Sequence, residues 1–258
     1  MTLGFRLRHL LARATRTSRY GAGPVGRLRI FLWYMALPLK RRLRFLNRRI
    51  VVLPLRIAGE DRRLAVSERT ELVAFEEILC DREYDLPLSA PPGTIVDAGA
   101  NVGASVLWFR ARFPSAKIIA LEPDPSTFRK LEVTLADVVD VHVVEAALAA
   151  ATGTAHLFQA ERTWASRLVS APTSSTVTVR ALSLSDLMDE YGLESIDLLK
   201  LDIEGMEWEV LPDAVRMARD VVVEVHGADR VRRLDKLNAE MLGATLTWSG
   251  DRVAHLAR

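Results

Sequence analysis

Two stretches in the C-terminal third of the chain concentrate groups that can move a proton. In "LLKLDIEG" the period of two of an extended strand puts Lys200, Asp202 and Glu204 on one face and Leu199, Leu201 and Ile203 on the other. In "VVVEVHG" the same rule brings Glu224 and His226 together. An imidazole titrates near working pH, and a neighbouring carboxylate can orient it, so His226 is assigned the role of general base. Asp202 and Glu204 can position a substrate, complete a cofactor site or hold a divalent cation through oxygen. The cation is set below the other two uses, because Glu204 can point instead into the following helix, and no metal is assigned. Lys200 is read as a structural partner for a neighbouring acid, with proton transfer as its second use.

These groups need a scaffold that brings strand ends together. From Gly93 onward, strand and helix signals alternate: "TIVDAG", a helix from Val102, "KIIALEP", a helix opened by Asp124 and Pro125, then "VHVVEAAL". Alternation of this kind predicts a parallel sheet with helices on both faces, and such sheets bind ligands at their carboxyl ends. The alternation breaks where "GTAHLF" and "STVTVRAL" flank the polar stretch "QAERTWASRLVSAPTS". That stretch is too long for an ordinary connection and is read as an active-site loop, with Trp164 and Arg167 its most substantial side chains. Ser183 and Asp186 at capping-box spacing and Gly192 as a stop bound a further helix. "ATLTWSGDRVAHLAR" reads as a terminal hairpin turning at Ser249 and Gly250.

The first strand runs into the turn "IVDAGANVG", where Gly99 and Gly103 bring backbone close to a ligand or to another helix. A dinucleotide site wants Gly-x-Gly-x-x-Gly, and the spacing Gly99-Ala-Asn-Val-Gly103 lacks the close pair. A ligand without a phosphate fits better, which disfavours a nicotinamide-dependent oxidoreductase. Glu122 ends the next strand, nineteen residues beyond Gly103. There it can accept two hydrogen bonds from a ribose diol, worth roughly 1.5–3 kcal/mol each.

"TIVDAGANVGASVLWF", "IIALEPDPSTFRKLEVTL", "VVEAAL", "VRALSLSDLM" and "IDLLKLDIEGMEWEVL" together resemble the FkbM family of S-adenosylmethionine-dependent methyltransferases, across roughly residues 65 to 230. The resemblance implies a Rossmann-like α/β class I methyltransferase fold, whose mostly parallel seven-stranded sheet ends in an antiparallel strand. It implies S-adenosyl-L-methionine as cofactor and methylation of a hydroxyl oxygen on a sugar, glycolipid or polyketide. Carried over by position, Gly99, Asn101 and Gly103 match the cofactor turn, Asp97 lies beside the methionine amino group and Glu122 is the ribose ligand. Glu145 falls where the family has a polar residue near the adenine, and its carboxylate departs from the more usual amide. Asp202 is counted on the cofactor side as well as the catalytic one. An aliphatic hydroxyl is a poor nucleophile until its proton leaves, and a positioned base contributes about 10²–10⁴-fold. A non-catalytic protein using the same fold to bind a lipid or protein partner is the reading from another class.

Composition limits the rest. With 258 residues, 49% hydrophobic and 26% charged, there is room for one large domain with additions. The single cysteine, Cys80, excludes an internal disulfide and a four-thiolate metal site, and is read as a small buried hydrophobe. A net charge of +2 hides an asymmetry: residues 1–50 carry 13 Arg and Lys and no acid, leaving 22 basic against 33 acidic side chains beyond them. The acidic remainder would repel phosphates, so no nucleic-acid partner is expected.

Three parts are expected: a basic arm over 1–58, a strand-and-helix cap over 59–92 and the cofactor-binding domain over 93–258. The arm sequence "LRIFLWYMALPLKRRLRFLNRR" suits a helix lying on anionic lipid, and equally an arm docked on the core. Its uncharged run from Ile30 to Leu39 is about half of the roughly 20 residues a spanning helix needs. "KRRLR" stands where a signal peptide would be cleaved. The chain is therefore placed in the cytoplasm, with peripheral contact at the inner face of the membrane as the lesser alternative to a bland basic arm.

Overall fold

A computed structural model describes residues 3–42, 49–158, 167–169, 173–203, 205–227, 229–249 and 252–257, leaving aside the side chains of residues 3–6, 37–42, 167 and 242. Two helices, α1 (Leu3–Ser18) and α2 (Gly23–Arg42), precede a hairpin of β1 (Val51–Ile57) and β2 (Glu60–Val66). Helix α3 (Arg69–Phe75) continues into a π-helical turn, Glu76–Cys80. The alternating part follows as β3 (Thr94–Ala98), α4 (Ala104–Arg112), β4 (Lys117–Leu121), α5 (Pro125–Leu135) and β5 (Val141–Val144). Four strands interrupt it, β6 (Ala147–Leu148), β7 (Gly153–Phe158), β8 (Arg167–Val169) and β9 (Thr176–Leu182). It resumes with α6 (Leu184–Tyr191), β10 (Ile196–Leu201), α7 (Glu207–Met217), β11 (Ala218–Glu224) and α8 (Arg230–Leu237), and closes with β12 (Thr245–Ser249) and β13 (Val253–Ala257).

The main sheet has the order β12-β13-β11-β10-β3-β4-β5. Strands β5, β4, β3, β10 and β11 are parallel, and β13 is antiparallel to both of its neighbours. This is the class I methyltransferase architecture that the family resemblance implies. The strands are apolar almost throughout because both faces are covered. Ile95, Ile118, Leu198 and Val222 enter one core with α4 and α5, while Val96, Ile119, Leu199, Val221 and Val223 enter the other with residues of α6 and α7.

The chain leaves β3 toward β4 on one side, and β10 pairs with β3 on the other. The carboxyl ends of β3 and β10 therefore flank the point where strand order reverses, which is where ligands bind in such sheets. Local signals agree: Asp124 caps α5 by accepting from the Thr127 amide at 2.9 Å, and Ser183 caps α6 by accepting from the Asp186 amide at 3.1 Å.

The interruption forms a sheet of its own, in the order β6-β9-β7-β8. Residues 159–166, with Trp164, and the side chain of Arg167 lie outside the described residues. The segment read as an arm is packed into the core. Ala14, Ile30, Trp33 and Tyr34 are buried in the same cluster as Leu53, Leu64 and Phe75. Glu76 is 1% exposed and accepts from Thr17 Oγ1 at 2.6 Å, from Arg13 Nε at 2.6 Å and from the Tyr34 hydroxyl. The boundary placed between residues 58 and 59 falls inside the β1–β2 turn, where Ala58 and Gly59 take φ of 50° and 87°, the conformation of a tight hairpin turn. No described helix is long and apolar enough to cross a membrane. Cys80 is partly buried, and burial pushes its thiol up to about 11, so it is a poor nucleophile at neutral pH.

Candidate active site

The turn after β3 is held by protein on both sides. Gly99 has φ of 80°, and a Cβ there would overlap the Asp202 carbonyl oxygen and stand 2.9 Å from its carbon. Gly103 has φ of 92°, and its Cβ would meet the side-chain ends of Leu131 at 3.0 Å and Thr134 at 3.2 Å. The close approaches that the glycines permit are thus to the end of β10 and to α5.

Lys200 secures the same turn from below. Its ammonium, 2% exposed, donates to the Gly99 carbonyl at 2.6 Å and lies 3.1 Å from Asp97 Oδ1 and 3.6 Å from Asp202 Oδ2. Burial opposes its charge, but Asp97 and then Asp202 outweigh that and raise its pKa. A lysine kept charged has no lone pair to accept a proton, so its geometry is that of a positioning residue. Asp97 is wholly buried beneath the turn, against Lys200.

Glu122 closes the turn from the β4 side. It is 8% exposed, and its two oxygens accept from the backbone amides of Asn101 at 3.0 Å and Asp124 at 2.9 Å. Burial pushes its carboxyl up to about 7, against the pull of those two amides. Each oxygen keeps a second lone pair. Asn101 takes φ of 51°, and its Oδ1 is buried with no hydrogen-bond partner among the described residues. An unsatisfied amide oxygen beside a buried carboxylate fits a polar ligand such as a ribose or an amino group. Glu145 follows β5 and is exposed.

The other side of the turn gathers the acid–base groups. His226 Nδ1 is hydrogen-bonded to Glu207, a wholly buried acid at the start of α7, and its Nε2 lies 3.7 Å from Glu224 Oε1. Burial and then the charge of Asp202 push the Glu224 carboxyl up to about 7, with Arg252 at 3.2 Å opposing. Asp202, Glu224 and His226 each offer a ligand atom within 4.8 Å of the others, so the three could hold a metal ion. Glu204 lies outside the described residues. The structure thus brings Asp202, Glu224 and His226 together on one side and Asn101 and Glu122 on the other, with Lys200 and Asp97 beneath.

Sequence reasoning missed Glu207 and Arg252. The signal for Glu207 was an acid in the first, inward-facing turn of an otherwise amphipathic helix. Arg252 sits in a hairpin turn, and nothing local marks it.

A family model described as the methyltransferase FkbM domain matches residues 97–243. The chain belongs to the FkbM methyltransferase family. It is similar to methyltransferase sdnD of Sordaria araneosa, with 31% identity over 206 residues that cover 65% of this chain and 80% of that protein. It is similar to methyltransferase 1 of Beauveria bassiana, with 30% identity over 159 residues that cover 53% and 64%. With the hexuronic acid methyltransferase AglP of Haloferax volcanii it shares 24% identity over 148 residues, covering 56% and 60%. This FkbM protein is an S-adenosylmethionine-dependent methyltransferase. The matched segment opens at Asp97 and takes in the glycine turn, Glu122 and the cluster around His226, so both halves of the site belong to the family domain.

Proposed function

We propose that this FkbM methyltransferase methylates a hydroxyl oxygen of a sugar, glycolipid or polyketide-type metabolite. One juxtaposition carries the reading: an imidazole anchored by a buried carboxylate stands at the same carboxyl end of the sheet as the turn that holds Glu122 and the unsatisfied Asn101 Oδ1. When bound, S-adenosylmethionine supplies an electrophilic methyl group. Glu122 would accept from its ribose hydroxyls, Asn101 from its amino-acid portion, and Glu145 would lie beside the adenine, while Lys200 and Gly99 fix the turn. The acceptor hydroxyl would enter on the β10–β11 side, where its proton is lost at the His226, Glu224 and Asp202 cluster as its oxygen takes the methyl group. Glu207 orients the imidazole for that purpose. The name of the Haloferax relative, a hexuronic acid methyltransferase, supports a carbohydrate acceptor.

The test is turnover of isotopically methyl-labelled cofactor by the purified protein with a panel of neutral glycans, hexuronic-acid glycans and glycolipids. An ether product, stable to mild base, is expected. A base-labile methyl ester, or methyl on nitrogen or carbon, would overturn the hydroxyl assignment.

We also propose that α1 and α2 contact an anionic membrane surface. On α2, Val25, Leu28 and Leu32 are 71%, 56% and 55% exposed and share one helical face. Leu7 and Leu11 are exposed on α1, and Arg8, Arg27 and Arg29 are exposed beside these apolar positions. Apolar side chains flanked by arginines, in a segment without a single acid before residue 51, complement the anionic inner leaflet.

A further inference from the structure

We propose that Asp202, Glu224 and His226 together form a binding site for a divalent cation of the manganese-to-zinc range. The inference rests on reading this side of the site as the acceptor side, and it says how the hydroxyl is activated there.

The donors come from two adjacent strand ends. Asp202 follows β10, Glu224 ends β11 and His226 lies two residues further. Bonds of about 2.1 Å to a first-row cation put adjacent donors about 3.0 Å apart and opposite donors about 4.2 Å apart. The observed spread, within 4.8 Å overall and 3.7 Å between His226 Nε2 and Glu224 Oε1, needs an inward movement of less than about an ångström. Ordinary side-chain torsion supplies that.

The surroundings are those of a ligating histidine. Glu207 holds Nδ1, which fixes the ring so that Nε2 faces Glu224. A carboxylate behind a metal-bound imidazole sets its tautomer and raises its basicity. Glu207 is wholly buried, and its Oε2 has no hydrogen-bond partner among the described residues. A buried acid kept in that position has the imidazole as its purpose.

The charge balance points the same way. Lys200 faces Asp202 through Oδ2, which leaves Oδ1 to offer, while Arg252 and the imidazole both face Glu224 through Oε1. Two acids this close at a partly buried site repel each other, and a cation between them removes that cost. One imidazole with two carboxylates suits manganese, iron, cobalt or zinc better than the all-oxygen preference of calcium or magnesium. Three protein ligands leave coordination positions open, as catalytic metal sites do. An acceptor alcohol entering one of them would bind through oxygen and release its proton to water more readily. In the loaded enzyme His226 is a ligand, and the activation read for it as a base passes to the cation.

The experiment is a titration of the metal-stripped protein with Mn²⁺, followed by electron paramagnetic resonance and calorimetry. One saturable site is expected. Asp202→Asn and Glu224→Gln should each weaken it strongly, and Glu207→Gln should weaken it about 10–100-fold through the imidazole. Glu224→Gln should keep its affinity for S-adenosylhomocysteine, which shows that the variant is folded. No saturable binding in the millimolar range, or binding indifferent to all three substitutions, overturns the site. Mn²⁺ bound without an ether product would sink the hydroxyl reading and leave the cation site standing. An ether product formed at full rate by protein that does not bind Mn²⁺ would do the reverse.

Discussion

Gly99→Ala tests whether the turn is built against β10. At φ of 80° an alanine carries left-handed strain of about 1–2 kcal/mol. Its Cβ also overlaps the Asp202 carbonyl oxygen, and because that atom is backbone no side-chain rotation relieves the contact. Relief requires the turn to lift from β10. That loosens the Asp202 amide on the Ala98 carbonyl, 3.1 Å, and the Lys200 ammonium on the Gly99 carbonyl, 2.6 Å. A neutral bond contributes about 0.5–1.5 kcal/mol and a charged one about 1.5–3. The sum is about 3–6 kcal/mol, or on the order of 10–20 °C in melting temperature for a chain of this size. Gly103→Ala should cost only about 1–2 kcal/mol, since its neighbours are the mobile ends of Leu131 and Thr134. Differential scanning calorimetry of the two variants decides the matter. If Gly99→Ala melts near the wild type, or if Gly103→Ala proves the more damaging, the close approach to Asp202 is not what demands the glycine.

Glu122→Gln should weaken binding of S-adenosylhomocysteine by about 10–100-fold while leaving turnover at saturation nearly unchanged, because a ribose contact is made equally in ground and transition states. With the Glu122 carboxyl at about 7, wild-type affinity should fall as pH is lowered through that value, and binding at or just below it should release protons, visible in calorimetry with buffers of different ionisation heat. Its folded pKa lies above the ordinary carboxyl value of 4.5, so this group takes away stability as pH rises from 4.5 to about 7, and heat independent of buffer would refute the assignment. His226→Ala should lower turnover by about 10²–10⁴-fold with cofactor affinity kept, and near-normal turnover would move activation elsewhere. Leu28→Glu with Leu32→Glu should abolish co-sedimentation with anionic vesicles and shift the melting temperature little; equal partitioning of variant and wild type would remove the membrane proposal.

The sheet was legible because strands buried on both faces must be apolar throughout, so "TIVDA", "KIIAL" and "DVVVE" stand out against their polar flanks. Asp124 with Pro125, and Ser183 with Gly192, mark helix ends by local hydrogen bonding and were readable for that reason. Strands β6 and β8 were not, because two or three residues cannot display a period. Strand β1 carries Pro54 and reads as broken, yet it pairs with β2, and its other neighbour is the α1–α2 turn. On the site, Glu122 and His226 announced themselves by residue type at a strand end. Glu207, Arg252 and the grip of Lys200 on Gly99 did not, because each contact joins segments far apart in sequence. Gly99 reads as a close approach to a ligand or a helix, whereas its neighbour is the Asp202 carbonyl at the end of β10, a contact that depends on β10 lying beside β3.

Thirteen cations in the basic N-terminal segment suit a solvated arm as well as a docked one. What decides it is Glu76. Arg13, Thr17 and Tyr34 are its partners, and removing the partners of a buried carboxylate costs about 3–5 kcal/mol. Truncation after residue 50 would therefore damage the fold and say nothing clean about membranes, which is why substitutions on the outward face of α2 are the better probe. The same anchorage ties that face to the chemistry. Glu77, next along the π-helical turn, lies 3.7 Å from Arg252, and Arg252 lies 3.2 Å from Glu224. The proposed lipid-facing surface and the proposed acceptor cluster are thus joined through one turn of helix and one arginine.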